Sequence, residues 1–318
     1  MGELWNNRDG LRMAGWTNTE IDHALRAGRL VAVTRDALVP ADALHDIKVR
    51  CGAALSTQRE DAAGSHRSAA LLHRWPWAPA AWSLDHLPAD VTAARDDVTR
   101  SSRKGVNRRL AALPDEDVVQ VDGLRITSHA RTAVDLARTE DRLLAVQLMD
   151  WLLTRKLCTY ADFAAVTARM VRVPGVAKAR RAIALARPGV DSPAETTVRL
   201  QAVDAGLEHP DTCLRIEEDG HLLARGDLGY RKWLIWIEYD SWQWHKERGI
   251  FASDRARDRW LTRRGWECMR LTDDDVRSPR NWLTQLAQAI ADAPDRIMAM
   301  DPRRSPEVAE AQALLRRS

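Results

Sequence analysis

At 318 residues the chain is long enough for two or three domains. It carries 48 Lys and Arg against 45 Asp and Glu, a net charge of +3, which excludes a uniformly basic nucleic-acid coat but leaves room for a local basic face. Cys51, Cys158, Cys213 and Cys268 form no C-x-x-C pair, and no run approaches the ~18 apolar residues of a membrane span, so structural zinc, a disulfide framework, secretion and membrane insertion are all disfavoured and a cytoplasmic protein is expected.

The N-terminal stretch "TNTEIDHALRAGRLVAVTRDALVP" places Thr17 three residues before Glu20, the spacing of a capping box. The helix it opens should bury Ile21 and Leu25 and stop at Gly28. "RLVAVTRDALVP" then predicts two short strands around Thr34-Arg35-Asp36. Helix, helix and hairpin over residues 1–55 is a winged helix-turn-helix pattern, which sets a helix in the DNA major groove. Arg26, Arg29 and Arg35 are its candidate phosphate contacts. A small dimerisation or packing module is the bland alternative, and a homodimer is allowed.

Residues 60–180 read as a mixed α/β middle domain. Ser65 is placed to cap a helix in "SHRSAALLHRW". "DVVQVDGLRITSHARTAVDLAR" predicts a hairpin turning at Asp122-Gly123, followed by a helix from about Thr132. Two amphipathic helices follow, in "EDRLLAVQLMDWLLTRKL" and, capped by Thr159, in "TYADFAAVTARM". His66, His73 and His129 match no metal-ligand spacing and are expected as core or surface histidines. "ARPGVDSP", with two Pro and a Gly, is a candidate linker.

From about 190 to 318 the predicted order is helix, three strands, helix, strand, helix. Ser192 caps the first helix, with Pro193 at its first position and Gly206 past its end. "DTCLRIEE" turns at Asp219-Gly220 into "HLLARGDLGY", and a turn near Arg231-Lys232 leads into "WLIWIEYD". "SDRARDRWLTRRG" is a helix with Ser253 as its cap and Gly265 as its stop, "WECMRLT" a strand and "SPRNWLTQLAQAIADA" a closing helix. Strand alternation sets Leu234, Trp236, Glu238 and Asp240 on one face and Trp233, Ile235, Ile237 and Tyr239 on the other.

Asp227, Glu238 and Asp240 stand on strands where apolar residues would be safer, because like charges repel and desolvation is costly. Glu195 adds a fourth acid in the first turn of the preceding helix. Oxygen ligands converging at a sheet edge suit a hard cation, Mg²⁺ or Mn²⁺. Arg225 and Arg231 are the only local protein cations that offer a structural explanation instead.

On these residues the C-terminal 130 or so positions resemble the PD-(D/E)XK nuclease superfamily, in the branch related to the very short patch repair endonuclease. Glu195, Asp227, Glu238-Tyr239-Asp240, His245, Arg255, Asp258, Arg259, Gly265 and Arg270 carry the likeness. The resemblance implies an αβββαβ restriction-endonuclease-like domain over 190–318. It also implies metal ligation by Asp227, Glu238 and the Tyr239 carbonyl, with Glu195 holding a metal-bound water or a second metal. His245 would be general base or acid, and Arg255, Arg259 and Arg263 would contact phosphates. The signature Lys is replaced by Asp240, and Ser241 stands where the branch usually has Gly. "GRLVAVTRDALVP", "SHRSAALLH" and "GLRITSHARTAVDLAR" resemble the AbiEi-type antitoxin family, whose N-terminal unit binds operator DNA. The expected protein is an α/β multidomain, metal-dependent DNA endonuclease in repair or phage defence. The alternative is a non-catalytic DNA-binding regulator with a degenerate nuclease domain.

Overall fold

The structure is a computed structural model that describes residues 5–83, 87–94, 105–240 and 250–317, the last span with side chains from 256 onward. The chain divides into two compact units, one ending at Ala184 and one beginning at Leu185. It is a mixed α/β protein with three sheets among the described residues. No helix there is long and apolar enough to cross a membrane.

The first unit opens with α1 (Arg8–Met13), α2 (Asn18–Arg26) and the antiparallel hairpin β1 (Leu30–Thr34) and β2 (Ala37–Pro40). The expected capping box on α2 is present, with Thr17 and Glu20 exchanging side-chain-to-backbone hydrogen bonds. Ile21 and Ala24 are buried, whereas Leu25 is only half-buried, because the inward face is set by a three-residue step. Next come α3 (Ile47–Leu55), β3 (Ala63–Gly64), α4 (His66–Leu72), β4 (Ala89–Ala93), β5 (Val106–Leu110), β6 (Val118–Val121) and β7 (Leu124–Thr127). The unit closes with α5 (His129–Thr139), α6 (Arg142–Thr154), α7 (Tyr160–Arg169) and α8 (Val176–Leu185).

β3 to β7 form one sheet in the order β5-β4-β3-β7-β6. Helix α3 joins this sheet to the hairpin. Its Val49 and Ala53 pack on Val33, Ala37 and Val39, while Ala54 and Cys51 pack toward the sheet side. Residues on both sides of position 55 therefore share one compact unit. Helix α5 starts at His129 rather than near Thr132, because Ser128 Oγ accepts the Arg131 N–H and caps it. The β6–β7 turn has positive φ at both Asp122 and Gly123, as a type I′ hairpin requires.

The second unit contains α9 (Pro193–Asp204), β8 (Asp211–Glu218), β9 (His221–Tyr230), β10 (Ile235–Tyr239), α10 (Ile250–Arg263), β11 (Glu267–Leu271), α11 (Asp273–Arg277), α12 (Arg280–Met298) and α13 (Pro306–Leu315). The sheet order is β11-β10-β9-β8, with β10 and β11 parallel across α10 and the other pairs antiparallel. Helix α10 begins at Ile250, ahead of the cap expected at Ser253. The expected linker is not a loose tether, since Ala186 and Val190 are buried and Arg199 Nη1 donates to the Leu185 carbonyl at 2.7 Å.

Both sheet faces are covered, as alternation along β10 requires. Leu234 and Trp236 pack with Leu261, Ala293, Ile297 and Val308. Ile235 and Ile237 pack with Val198, Ala202, Trp282 and Leu286 on the other side. Each large side chain so buried contributes about 1.5–3 kcal/mol. A Cβ on Gly226 would fall 2.4 Å from the Trp236 ring, so the glycine lets the indole lie against β9 beside Asp227.

Candidate functional site

Four acids on or beside the second sheet are linked through the charge of Asp227. Glu195 is the third residue of α9, fixed by the Ser192 cap, and is 6% exposed. Its carboxylate accepts the Asp191 N–H at 3.0 Å. No Arg, Lys or His pairs with it among the described residues. Burial, followed by the charge of Asp227, pushes its carboxyl up to about 7. Asp227, on β9, accepts the Tyr239 backbone N–H at 2.9 Å. It too has no salt-bridge partner among the described residues, and burial raises its carboxyl above the usual range.

Glu238 is 7% exposed and differently treated. Trp236 Nε1 donates to Oε1 at 2.9 Å, and Arg257 Nη2 donates to Oε2 at 2.7 Å. Arg270 Nη2 stands 3.2 Å from the same oxygen. Burial still raises this carboxyl, with Trp236 and the two arginines opposing the rise. Asp240 is held by Arg270 Nη1 at 3.0 Å. Asp258 on α10 takes Arg270 as a two-point pair at 2.8 and 3.1 Å. One guanidinium on β11 thus ties together acids from two elements.

The structure corrects the expected protein cations. Arg225 turns to Asp191, and Arg231 Nη2 donates to the Arg215 carbonyl at 2.7 Å. Glu238 is instead neutralised by Arg257 and Arg270. The signal for Arg257 lay in the spacing of α10, where residues 257, 261 and 264 share a face and Leu261 is fully buried. No group of three or more His, Cys, Asp and Glu among the described residues is arranged to hold a metal ion. Glu195 and Asp227 remain as two unpaired, partly dehydrated carboxylates close enough for one to shift the other.

Arg259 and Arg263 are exposed on α10. Asp258, on the same helix, is turned inward to Arg270. The side chain of Arg255 and all of His245 lie outside the described residues. In the first unit Arg26, Arg29 and Arg35 are exposed on α2 and the hairpin. Arg26 Nε donates to the Asp22 carbonyl at 3.2 Å and Arg29 Nη2 lies 3.1 Å from His23 Nδ1. His73 and His129 stack at 3.9 Å, and Trp75 Nε1 donates to His129 Nδ1 at 3.0 Å.

No family model matches the chain. It is 29% identical over 158 residues to uncharacterized proteins of two Mycobacterium tuberculosis strains, a match covering 50% of this chain and 58% of each relative. The chain thus spans little more than half the length of the curated relatives it matches.

Proposed function

We propose that the second unit is a PD-(D/E)XK-type, restriction-endonuclease-like domain that hydrolyses DNA phosphodiester bonds with Mg²⁺ or Mn²⁺. In this reading the N-terminal helices and hairpin act as a winged DNA-binding module. The observation that carries the proposal is the pair Glu195 and Asp227, a buried and a half-buried acid with no salt-bridge partner among the described residues. Mg²⁺ is commonly held by one or two carboxylates, its remaining positions filled by water and substrate phosphate. Two acids, with the Tyr239 carbonyl as a further oxygen, fit that donor set. When bound, the cation supplies charge stabilisation at the phosphate and lowers the pKa of water. Asp227 is oriented for this by the Tyr239 N–H and Glu195 by the Asp191 N–H. Arg270 fixes Glu238, Asp240 and Asp258 in place, and exposed Arg259 and Arg263 would contact the DNA backbone.

A second reading, a non-catalytic DNA-binding regulator, is favoured by one observation: Glu238 is already neutralised by Arg257 and Arg270. Digestion of supercoiled plasmid by purified protein, with Mg²⁺, Mn²⁺ or chelator, separates the two. Nicking that needs the metal and disappears in Asp227→Asn supports the nuclease. DNA binding without metal-dependent nicking supports the regulator.

A further inference from the structure

We propose that the first unit carries a binding site for a small organophosphate, in a cavity of about 500 Å³ whose polar wall is His66, Arg109, Arg131 and Arg138. His66 is the origin of the argument. It is 2% exposed, lines the cavity, and its Nε2 has no hydrogen-bond partner although it is buried. Its backbone sits at φ +48, a conformation a non-glycine residue adopts only when its surroundings enforce it.

The neighbouring hydroxyls occupy one ring nitrogen. Thr92 Oγ1 donates to Ser65 Oγ at 2.8 Å, and Ser65 Oγ lies 3.0 Å from His66 Nδ1. In the tautomer in which Ser65 donates to Nδ1, Nε2–H is left as a donor without an acceptor. Burial holds the imidazole neutral, with its pKa down at about 4. A neutral N–H donor lacking an acceptor calls for an oxygen in the cavity.

The arginines supply the charge. The one acid in the wall, Asp135, is saturated: Arg131 Nε donates to one oxygen and Arg138 Nη1 to the other, at 2.8 and 2.7 Å. Arg109 spends Nη1 on Asp90 at 2.6 Å. Nη2 of Arg131, Arg138 and Arg109 makes no hydrogen bond among the described residues. Three spare guanidinium donors and an imidazole N–H exceed what one carboxylate uses well, and they match the three oxygens of a terminal phosphate. Inorganic phosphate alone would leave most of the space unfilled. Leu110, Ala111, Val173 and Pro174 line the remainder and suit an organic body such as a nucleoside.

Calorimetric titration of the full chain with adenosine 5′-monophosphate, inorganic phosphate and adenosine tests the site. The expected result is binding of the monophosphate, weaker binding of phosphate and none of adenosine. Arg109→Gln should weaken the monophosphate by about tenfold, the equivalent of one charge-assisted hydrogen bond. Arg303→Gln, in the second unit with its side chain 89% exposed, should leave it unchanged. Arg109 is about a third exposed, so its variant is expected to keep the wild-type circular dichroism even if His66→Gln does not fold. In ¹⁵N-histidine-labelled protein the His66 Nε2 resonance should move on saturation. Absence of binding by both phosphate ligands overturns the proposal. Adenosine binding as tightly as its monophosphate, or affinity untouched by Arg109→Gln and Arg138→Gln, overturns it as well.

Discussion

Replacing Glu195 by Gln should remove a specific pH dependence from the stability of the protein. In the fold the Glu195 carboxyl is pushed from its ordinary 4.5 to about 7, first by burial and then by Asp227. Between those values the folded chain keeps a proton that the unfolded chain has released. Stability therefore falls as pH rises from 4.5 to 7 and is flat above it. At ~1.36 kcal/mol per pH unit the loss is about 3 kcal/mol. Gln is nearly isosteric with the protonated acid, and its carbonyl oxygen can still accept the Asp191 N–H. Urea denaturation of wild type and Glu195→Gln in chelator, at half-unit steps from pH 4.5 to 8, isolates the effect as a difference. The variant should gain about 3 kcal/mol on wild type across that range. A difference that stays flat would refute the buried, unpaired acid. Above pH 7, Mg²⁺ should restore wild-type stability, by about 2.7 kcal/mol at a hundredfold excess over Kd, and Glu195→Gln should lose most of that gain.

Asp227→Asn keeps an oxygen for the Tyr239 N–H, so without metal it should melt at or above wild type; a lower melting temperature together with indifference to Mn²⁺ would mean a salt bridge had been broken. Glu238→Gln removes the partner of Arg257 and Arg270, whose side chains are 34% and 28% exposed, so the cost by chemical denaturation is about 1–2 kcal/mol, discounted for solvent screening. Burial holds His129 down at about 4, so the fold excludes a proton that the unfolded chain binds below pH 6.5; stability should fall as pH drops from 6.5 to 4, and His129→Gln should soften that fall in acid titrations followed by circular dichroism. Replacing Arg26, Arg29 and Arg35 together by Gln should weaken DNA binding and flatten its salt dependence by about 0.9 in log–log slope per lost phosphate contact, and an unchanged slope in gel shifts would remove the module from the interface.

Local chemistry was the legible part of the fold. Thr17 with Glu20, Thr159, Ser192 with Pro193, and the two Asp-Gly turns all fall where short-range rules put them, because each needs only neighbours within three or four residues. The two faces of β10 were legible for the same reason. Pairings across long separations were not. Arg257 and Arg270 reach Glu238 from 19 and 32 residues away, whereas Arg225 and Arg231 looked closer in sequence and point elsewhere. The buried Arg131, with Asp117 and Asp135 on it, is hidden in an ordinary amphipathic segment. Helix α13 carries too little pattern to stand out, and its stability comes from packing on the unit it closes.

Three of the acids are held in different ways, and this ranks their availability to a cation. Glu238 is held by two guanidiniums, and a metal would have to compete with both. Asp227 is held by one backbone N–H, which leaves its second oxygen without a hydrogen bond among the described residues. Glu195 is held by the Asp191 N–H, by the Ser192 side chain and, below about pH 7, by its own proton. A divalent ion bound there at neutral pH would therefore displace a proton rather than a side chain. Its affinity should rise with pH through about 7, driven by Glu195, while the arginine-held acids stay as they are. In the proposed reading, the same burial that makes Glu195 a poor anion would make it a selective ligand, since only a strongly charged ion recovers the cost of ionising it there.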